Sequence, residues 1–287
     1  MRFGTAEVNG SARVAAIRGD QAGILEQPAS MLELISAAGR GDGRALDGLV
    51  AGADWRPLRE VRLLTPIASP SKIVAIGLNY ADHAEEGGVP TPKAPLIFAK
   101  FPSTIVGPGD DVVWDRGLTD QVDYEAELGV VIGRTARNVS EADALDHVFG
   151  YTCINDVSAR DLQFGDGQWI RGKGLDTFCP VGPWIVTADE IPDPQSLRIE
   201  CIVNGDALQS STTANMFFGV RTIIAHCSRA FTLLPGDLIA TGTPAGVGVY
   251  KKPPRLLRDG DEMVIRIEGI GDLRNTCRTT GEPAPKD

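Results

Sequence analysis

Apolar residues recur at two spacings along the chain, and these spacings predict where strands and helices lie. The alternation typical of strands occurs near the N-terminus in "ARVAAIRG" and near the C-terminus in "DEMVIRIEGI". An Asn-Gly pair inside "LRIECIVNGDALQS" predicts a hairpin turn between two strands, and the N-terminal segment is predicted to form another hairpin. Short strands punctuated by Gly and Pro dominate, so the pattern predicts a β-rich α+β fold.

Helical spacing is confined to a few segments. We predict a helix from Ser30 to Ala38, a Gly-rich turn "GRGDG", and a short helix over Arg44 to Val50. Together with the first predicted strands, these helices indicate a small α+β domain at residues 1–65. A long helix is predicted from about Asn215 to Thr232, and "PG" directly after it supplies a stop signal.

Residues 66–287 are predicted to form one larger, β-rich domain. Prolines are dense between Pro57 and Pro108, which breaks regular structure and predicts connecting loops. Functional sites are often built on such loops, so side chains in this region are candidates for chemistry.

The stretch "TDQVDYEAELGVVIGR" carries Asp123, Glu125 and Glu127 at alternate positions of an apolar run. If the stretch is one strand, these three carboxylates share a face, because successive side chains alternate sides. The face could be the solvated side of a half-exposed antiparallel strand. Alternatively, a bound divalent cation could relieve the repulsion among the acids.

Two further segments place polar groups at the ends of apolar runs. In "GYTCINDVSARDLQ" an apolar run ends at Asn155 and Asp156, and several polar residues follow; Asp156 could serve a site or merely a turn. In "IRGKGLDTFCP", Lys173 lies between two glycines, which permit close approach of backbone to a ligand, although a plain surface loop fits this piece equally well.

Histidine offers one candidate base. In "IGLNYADHAEEGG", His83 and Glu86 are three residues apart and therefore neighbours on one helical face. The other two histidines, His147 and His226, are predicted to be structural or surface residues.

Charge and cysteine content exclude several classes of function. The net charge of −10 argues against nucleic acid as a partner and means that an anionic substrate needs local cations. No apolar run is long enough to span a membrane, and the N-terminus lacks a secretory signal, so we expect a cytosolic protein. The 5 cysteines are widely spaced without a C-x-x-C pair, which predicts buried reduced thiols rather than a disulfide or zinc site.

Five motifs in order, "IGLNYADHAEE", "VDYEAELGVVIGR", "GYTCINDVSARDLQ", "RGKGLDTFCPVGPW" and "GDLIATGTPAGVG", resemble the fumarylacetoacetate hydrolase family. The resemblance covers about residue 66 to the end of the chain. It implies a β-rich roll or sandwich of mixed sheets behind a variable N-terminal domain, and it implies a homodimer.

The resemblance also implies roles for particular residues. The implied metal ligands are Glu125, Glu127 and Asp156. The implied catalytic residues are His83, Glu86 and Lys173, with His83 as a base oriented by Glu86. The implied substrate contacts are Arg160, Gln163 and Thr243. Ligation by oxygen alone favours Mg²⁺ or Mn²⁺, whereas Asp123 shares the face without being an implied ligand.

The first functional interpretation is a metal-dependent hydrolase that cleaves the C–C bond of a 3-acylpyruvate or fumarylpyruvate, a small anionic 2-oxo acid. The bond would break to give a pyruvate enolate, whose charge the cation stabilises. Oxaloacetate decarboxylation, or isomerisation or decarboxylation of a 2-hydroxy-dienedioate, is the alternative at the same site. A non-catalytic, metal-stabilised binding protein is the alternative from another class.

Overall fold

The computed structural model describes residues 1–41 and 43–282, and in this part the chain forms nineteen strands and six α-helices. The strands are β1 (Arg2–Val8), β2 (Ser11–Arg18), β3 (Gln21–Ile24), β4 (Asp54–Pro57), β5 (Leu63–Leu64), β6 (Ile73–Gly77), β7 (Leu96–Lys100), β8 (Ile105–Val106), β9 (Asp111–Asp115), β10 (Val122–Asp123), β11 (Ala126–Ile132), β12 (Val148–Asn155), β13 (Ser158–Ala159), β14 (Cys179–Thr187), β15 (Arg198–Val203), β16 (Asp206–Thr212), β17 (Leu238–Ala240), β18 (Glu262–Ile267) and β19 (Gly271–Thr280). The helices are α1 (Met31–Ala38), α2 (Gly43–Val50), α3 (Ala81–Gly87), α4 (Arg160–Gly165), α5 (Ile170–Lys173) and α6 (Val220–Ala230).

Two mixed sheets organise the molecule, as the predicted β-rich α+β class requires. The larger sheet has the order β4-β3-β2-β1-β14-β12-β11-β17-β6-β7, with β5 and β8 added on β1 and β14. The smaller sheet has the order β16-β15-β18-β19-β9. Most neighbours run antiparallel, whereas β17 and β6, and likewise β19 and β9, run parallel.

The centre of the larger sheet is buried on both faces. Leu128 and Val130 of β11 belong to an apolar cluster that also contains Ile199 and Ile265 of the smaller sheet. The next residue, Val131, belongs to a second cluster on the other face, which includes residues of α1. Because both faces are covered, β11 is apolar throughout except where Glu127 enters it.

The predicted N-terminal elements are confirmed. The first two strands pair as a hairpin, and α1 begins after Ser30, whose hydroxyl caps the helix by accepting the Glu33 N–H. Asp42 of the predicted Gly-rich turn lies outside the described residues. Strand β1 also pairs with β14, at Arg2 and Val186, so the larger sheet continues across residue 65. The division of the chain at that residue stays a prediction.

The acidic stretch does not form the single strand that its alternation predicts. It is split into β10 and β11, and β10 pairs with β13 in a small sheet of its own. Glu125 lies in the break, where its carbonyl accepts the Asp156 N–H at 2.9 Å. The interpretation as a solvated face is wrong, because Asp123, Glu125 and Glu127 are all buried.

The second hairpin is confirmed, and the long helix is shorter than predicted. Asn204 and Gly205 form the turn between β15 and β16, both with positive φ. Helix α6 begins only after Gly219. The preceding residues are extended instead, because Met216 forms a β-bridge with Tyr80 and the Phe217 N–H donates to the Asn79 carbonyl at 2.7 Å.

The five cysteines are buried and free, as predicted. No described helix is long and apolar enough to cross a membrane.

Candidate functional site

Three carboxylates converge where β11 begins and β12 ends. These strands are antiparallel, with Ala126 opposite Asn155 and Glu127 opposite Ile154, so the start of one lies beside the end of the other. Glu125, Glu127 and Asp156 can each offer an oxygen, and these oxygens all lie within 4.8 Å of one another. All three residues are buried, at 5 %, 1 % and 0 % exposure.

Buried cations neutralise part of this charge. The Lys173 Nζ donates to Glu125 Oε2 at 2.9 Å and to Asp156 Oδ2 at 2.7 Å. Arg160 Nη1 lies 2.8 Å from Glu125 Oε1 and also donates to Gln163 Oε1 at 2.9 Å. The Gly-flanked lysine is therefore not on a plain surface loop, since α5 ends at Lys173 inside the cluster.

Lys100 is a third buried cation, which the sequence interpretation missed. It ends β7, and its Nζ donates to Asp156 Oδ1 at 2.6 Å and to the Lys173 carbonyl. The sequence pattern that could have identified Lys100 is a lysine at the end of the apolar run "PLIFAK". This pattern is a weak indication, because strand ends often carry exposed lysines.

Asp123 has partners different from those of the three converging carboxylates. It accepts the Arg160 Nε–H at 2.8 Å and the backbone N–H groups of Gly248 and Val249 at 2.7 and 3.0 Å. Asp123 thus fixes the Arg160 guanidinium, which in turn contacts Glu125.

The two glutamates of the converging set differ in proton affinity. Burial raises the pKa of Glu125, but Lys173 and Arg160 outweigh burial and lower that pKa to about 2. Burial and the charges of Asp156 and Glu125 raise the pKa of Glu127 well above its ordinary value. Among the described residues, no Lys or Arg forms an ion pair with Glu127, and the one hydrogen bond that its carboxylate accepts comes from the Gly242 N–H, at 2.7 Å from Oε2. Glu127 is therefore the carboxylate of the converging set that is least compensated by positive charge.

Lys173 remains an ammonium. Burial favours the neutral amine, but Asp156 and Glu125 outweigh this effect and raise the pKa of Lys173. Its side chain is consequently a donor and a positive charge, not a base at neutral pH.

Helix α3 holds His83 and Glu86 together, as their spacing predicts. The His83 Nδ1 lies 3.5 Å from Glu86 Oε2, longer than a good hydrogen bond but within ion-pair range. Glu86 also accepts the Gly246 N–H at 3.0 Å. Burial raises the pKa of Glu86, but the contacts with His83 and the Gly246 N–H outweigh it and lower that pKa. Glu86 therefore stays ionised and can orient the imidazole.

One pocket of about 280 Å³ joins these groups. The sequence-predicted residues that line it are His83, Glu125, Glu127, Arg160, Gln163, Lys173 and Thr243. The remaining two, Asp156 and Glu86, lie directly behind this lining through their contacts with Lys173 and His83. All nine predicted site residues are thus brought together.

The rest of the pocket lining, the apolar wall, is largely apolar and aromatic. Its lining residues are Ile76, Leu78, Val89, Phe98, Phe164, Trp169 and Tyr250. Phe98 contacts Trp169 edge-on, and the Lys173 Nζ lies 5.2 Å from the Phe98 ring centre. Among the described residues that line the pocket, the Arg and Lys side chains are Arg160 and Lys173, and both already contact carboxylates.

The donor set fits a divalent cation. Three carboxylates supply only hard oxygen ligands, the type that Mg²⁺ and Mn²⁺ prefer. No described Lys or Arg forms an ion pair with Glu127, and burial together with the charges of Asp156 and Glu125 raises its pKa, an effect that a bound cation would oppose. Glu125, Glu127 and Asp156 are therefore the residues that could hold such an ion.

Comparison with known proteins gives concordant results. A family model described as Fumarylacetoacetate (FAA) hydrolase C-terminal matches residues 72–278. The mitochondrial oxaloacetate tautomerase FAHD2A of Bos taurus is 49% identical over 221 residues, which are 76% of this chain and 70% of that protein.

Two solved structures resemble nearly the whole chain. Fumarylacetoacetate hydrolase from the psychrophile Exiguobacterium antarcticum has a TM-score of 0.88 and 42% identity, covering 98% of this chain and 100% of that chain. Maleylpyruvate hydrolase from Sphingobium sp. SYK-6, in complex with manganese(II) and pyruvate, has a TM-score of 0.80 and 33% identity at the same coverage. These relatives are enzymes, and the last one holds a divalent metal ion.

Proposed function

Because the chain belongs to the fumarylacetoacetate hydrolase family, we propose that it is a divalent-metal-dependent hydrolase of 3-acylpyruvates. The reaction would release pyruvate and a carboxylic acid. The observation that carries this proposal is that two of the converging carboxylates, the His83 imidazole and the apolar wall all line one pocket.

Charge balance supports a substrate with one carboxylate. The buried carboxylates of the cluster are Asp123, Glu125, Glu127 and Asp156, and the buried cations are Lys100, Arg160 and Lys173. With all four carboxylates ionised, one negative charge is in excess, and a bound divalent cation, which favours the ionised form of Glu127, would leave one positive charge. A monoanionic 2-oxo acid would make the cluster neutral, which matters because unbalanced buried charge is costly.

The apolar wall supports an uncharged group at the far end of that substrate. Phe98, Trp169 and Leu78 carry no positive charge that could balance a second carboxylate. An alkyl or aryl group on C4 would instead bury apolar surface against them. This favours an acylpyruvate over a diacid such as fumarylpyruvate.

The roles of the side chains follow from their positions. His83 accepts a proton from water as the water attacks C4, and Glu86 stabilises the resulting imidazolium. The C3–C4 bond then breaks, its electron pair forms the pyruvate enolate, and a proton returns to C3. The Lys173 ammonium and the Thr243 hydroxyl donate toward the 2-oxo acid end. When bound by the three carboxylates, the cation supplies Lewis acidity that stabilises negative charge on the substrate.

The test uses chelator-treated protein supplied with Mg²⁺ or Mn²⁺. Acetylpyruvate and benzoylpyruvate are expected to yield one pyruvate each, and only in the presence of the metal. His83→Ala should lower kcat by about 10²–10⁴-fold, the usual contribution of a general base, with Mn²⁺ binding unchanged. If no acylpyruvate yields pyruvate at any metal concentration, the hydrolase proposal fails. If Mn²⁺ binds but no substrate of any class turns over, the binding-protein alternative gains support.

A second candidate is conversion of oxaloacetate, by tautomerisation or decarboxylation. The 49% identity to an oxaloacetate tautomerase favours it. Here His83 would move a proton at C3, and no water would attack. Measuring enol loss and pyruvate formation from oxaloacetate beside the acylpyruvates ranks the two candidates by kcat/KM.

A further inference from the structure

Two polar side chains on strand β16 reach the site from the second sheet. Gln209 and Ser211 are two residues apart, so they project to the same side of the strand. Gln209 is 1 % exposed, and neither residue lines the pocket. Their contacts lead to different halves of the site.

The Gln209 carboxamide joins the ligand segment to the Thr243 loop. Its Oε1 accepts the N–H of Ala126, the residue between Glu125 and Glu127, at 2.9 Å. Its Nε2 donates to Thr243 Oγ1 at 2.8 Å and to the Pro244 carbonyl at 2.9 Å. One buried amide therefore sets the distance between two of the converging carboxylates and a hydroxyl of the pocket wall.

The Ser211 hydroxyl leads instead to the helix that carries His83. It donates to Asp82 Oδ2 at 2.5 Å, and Asp82 Oδ1 accepts the backbone N–H of His83 at 2.8 Å. Asp82 lies in the first turn of α3, so Ser211 fixes the position of that turn. Asn215 supports the same contact by donating to Ser211 Oγ at 3.1 Å.

We propose that Gln209 and Ser211 are positioning residues through which the smaller sheet aligns the two halves of the site. Gln209 aligns the Glu125–Glu127 segment with Thr243. Ser211 aligns His83 with that segment and with Thr243. The assignment of His83 as a base rests on the proposed function, but the alignment of the carboxylates does not. Hydrogen-bond partners behind metal ligands commonly change metal affinity or activity by about 10–100-fold when removed.

The experiment separates the two residues by their readouts. Gln209→Met keeps the length of the side chain but removes its polar atoms, and it should weaken Mn²⁺ binding by about 10-fold or more and raise KM. Ser211→Ala should leave the Mn²⁺ dissociation constant within about twofold and lower kcat by about 10-fold, in the range that such partners contribute. In NMR spectra the ring signals of His83 should shift in Ser211→Ala and stay in place in Gln209→Met.

Asn275→Leu is the matched control. Asn275 is another buried amide, 5 % exposed, that donates to the carbonyls of Gly107 and Asp110 away from the pocket. It should lower thermal stability without changing Mn²⁺ affinity or the His83 signals. The proposal is overturned if Gln209→Met behaves like this control, or if Ser211→Ala leaves the His83 signals and kcat unchanged. If the wild type proves inactive toward acylpyruvates, Mn²⁺ titration and NMR still decide the matter.

Discussion

Two buried carboxylate environments on the larger sheet differ in how their charge is satisfied. Directly before β17, Asp237 is fully buried and accepts hydrogen bonds from the Ser71 hydroxyl, the Lys72 ammonium and the Leu234 N–H, at 2.5, 2.5 and 2.7 Å. Both of its oxygens have partners and its charge is matched by one lysine. At the start of β11, by contrast, buried carboxylates outnumber buried cations, and within the described part of the chain Glu127 accepts a single backbone N–H.

The difference distinguishes a structural acid from a functional one. A carboxylate matched by a cation and several donors stabilises the fold, and its removal exposes unpaired partners. A group of carboxylates in excess of their cations destabilises the fold unless another positive charge arrives. Buried charge that is left unbalanced therefore marks a binding site better than burial or acidity alone.

Replacing Glu127 with Gln should produce the largest effect. The substitution removes a ligand, so we expect the dissociation constant for Mn²⁺ to rise by about 100-fold or more. It also removes repulsion from Glu125 and Asp156, so the metal-free variant should melt at the same or a higher temperature than the wild type. Calorimetric titration and thermal denaturation in chelator measure the two quantities. A melting temperature that drops while Mn²⁺ affinity is retained would place Glu127 in the structural class.

Replacing Asp237 with Asn should have the opposite profile. The Lys72 ammonium and several donors lose a charged acceptor, so the free energy of unfolding should fall by about 2 kcal/mol. Lys72 is 31% exposed and can turn to water, which keeps the loss below that of a fully buried pair. Urea denaturation measures the loss, and the Mn²⁺ dissociation constant should stay within about twofold. A large loss of Mn²⁺ affinity would show that Asp237 does not differ from Glu127 in this respect.

A smaller, pH-dependent effect is expected at Asp261, a second matched acid. Burial raises its pKa, but Arg255, Asn204 and the Arg258 N–H outweigh burial and lower it. Its stabilising contribution is therefore present above the unfolded value of about 3.9 and lost as pH falls through the lower folded pKa. Asp261→Asn should cost about 1 kcal/mol at pH 7, because water screens the partly exposed Arg255.

Urea denaturation of both proteins at pH 7, 5 and 3 checks this expectation. The difference between wild type and variant should be constant at the two higher values and shrink at the lowest. A difference that grows toward acid would mean that Asp261 is protonated more easily in the folded protein than in the unfolded chain.

Local patterns in the sequence predicted elements whose causes are local. The Asn204-Gly205 turn, the helix predicted from Ser30 to Ala38 and the His83–Glu86 spacing depend on a few neighbouring residues, and each is confirmed. The convergence of Glu125, Glu127 and Asp156 came from family resemblance, since no local pattern aligns β11 with β12.

The features that sequence reasoning missed depend on contacts between distant segments. The break at Glu125 arises because Asp156, which follows another strand, donates to its carbonyl. Lys100 and Gln209 reach the site from β7 and β16, and neither belongs to a recognisable motif. A polar residue at an inward position of a strand, such as Gln209, is the one signal available. The predicted homodimer and cytosolic location concern the assembled protein in the cell and stay predictions.

Anomalous diffraction from crystals soaked in Mn²⁺ tests the central claim most directly. We predict one strong peak per chain, with oxygens of Glu125, Glu127 and Asp156 about 2.1 Å away. No peak at these carboxylates, or a Mn²⁺ ion held by other residues, would contradict the account.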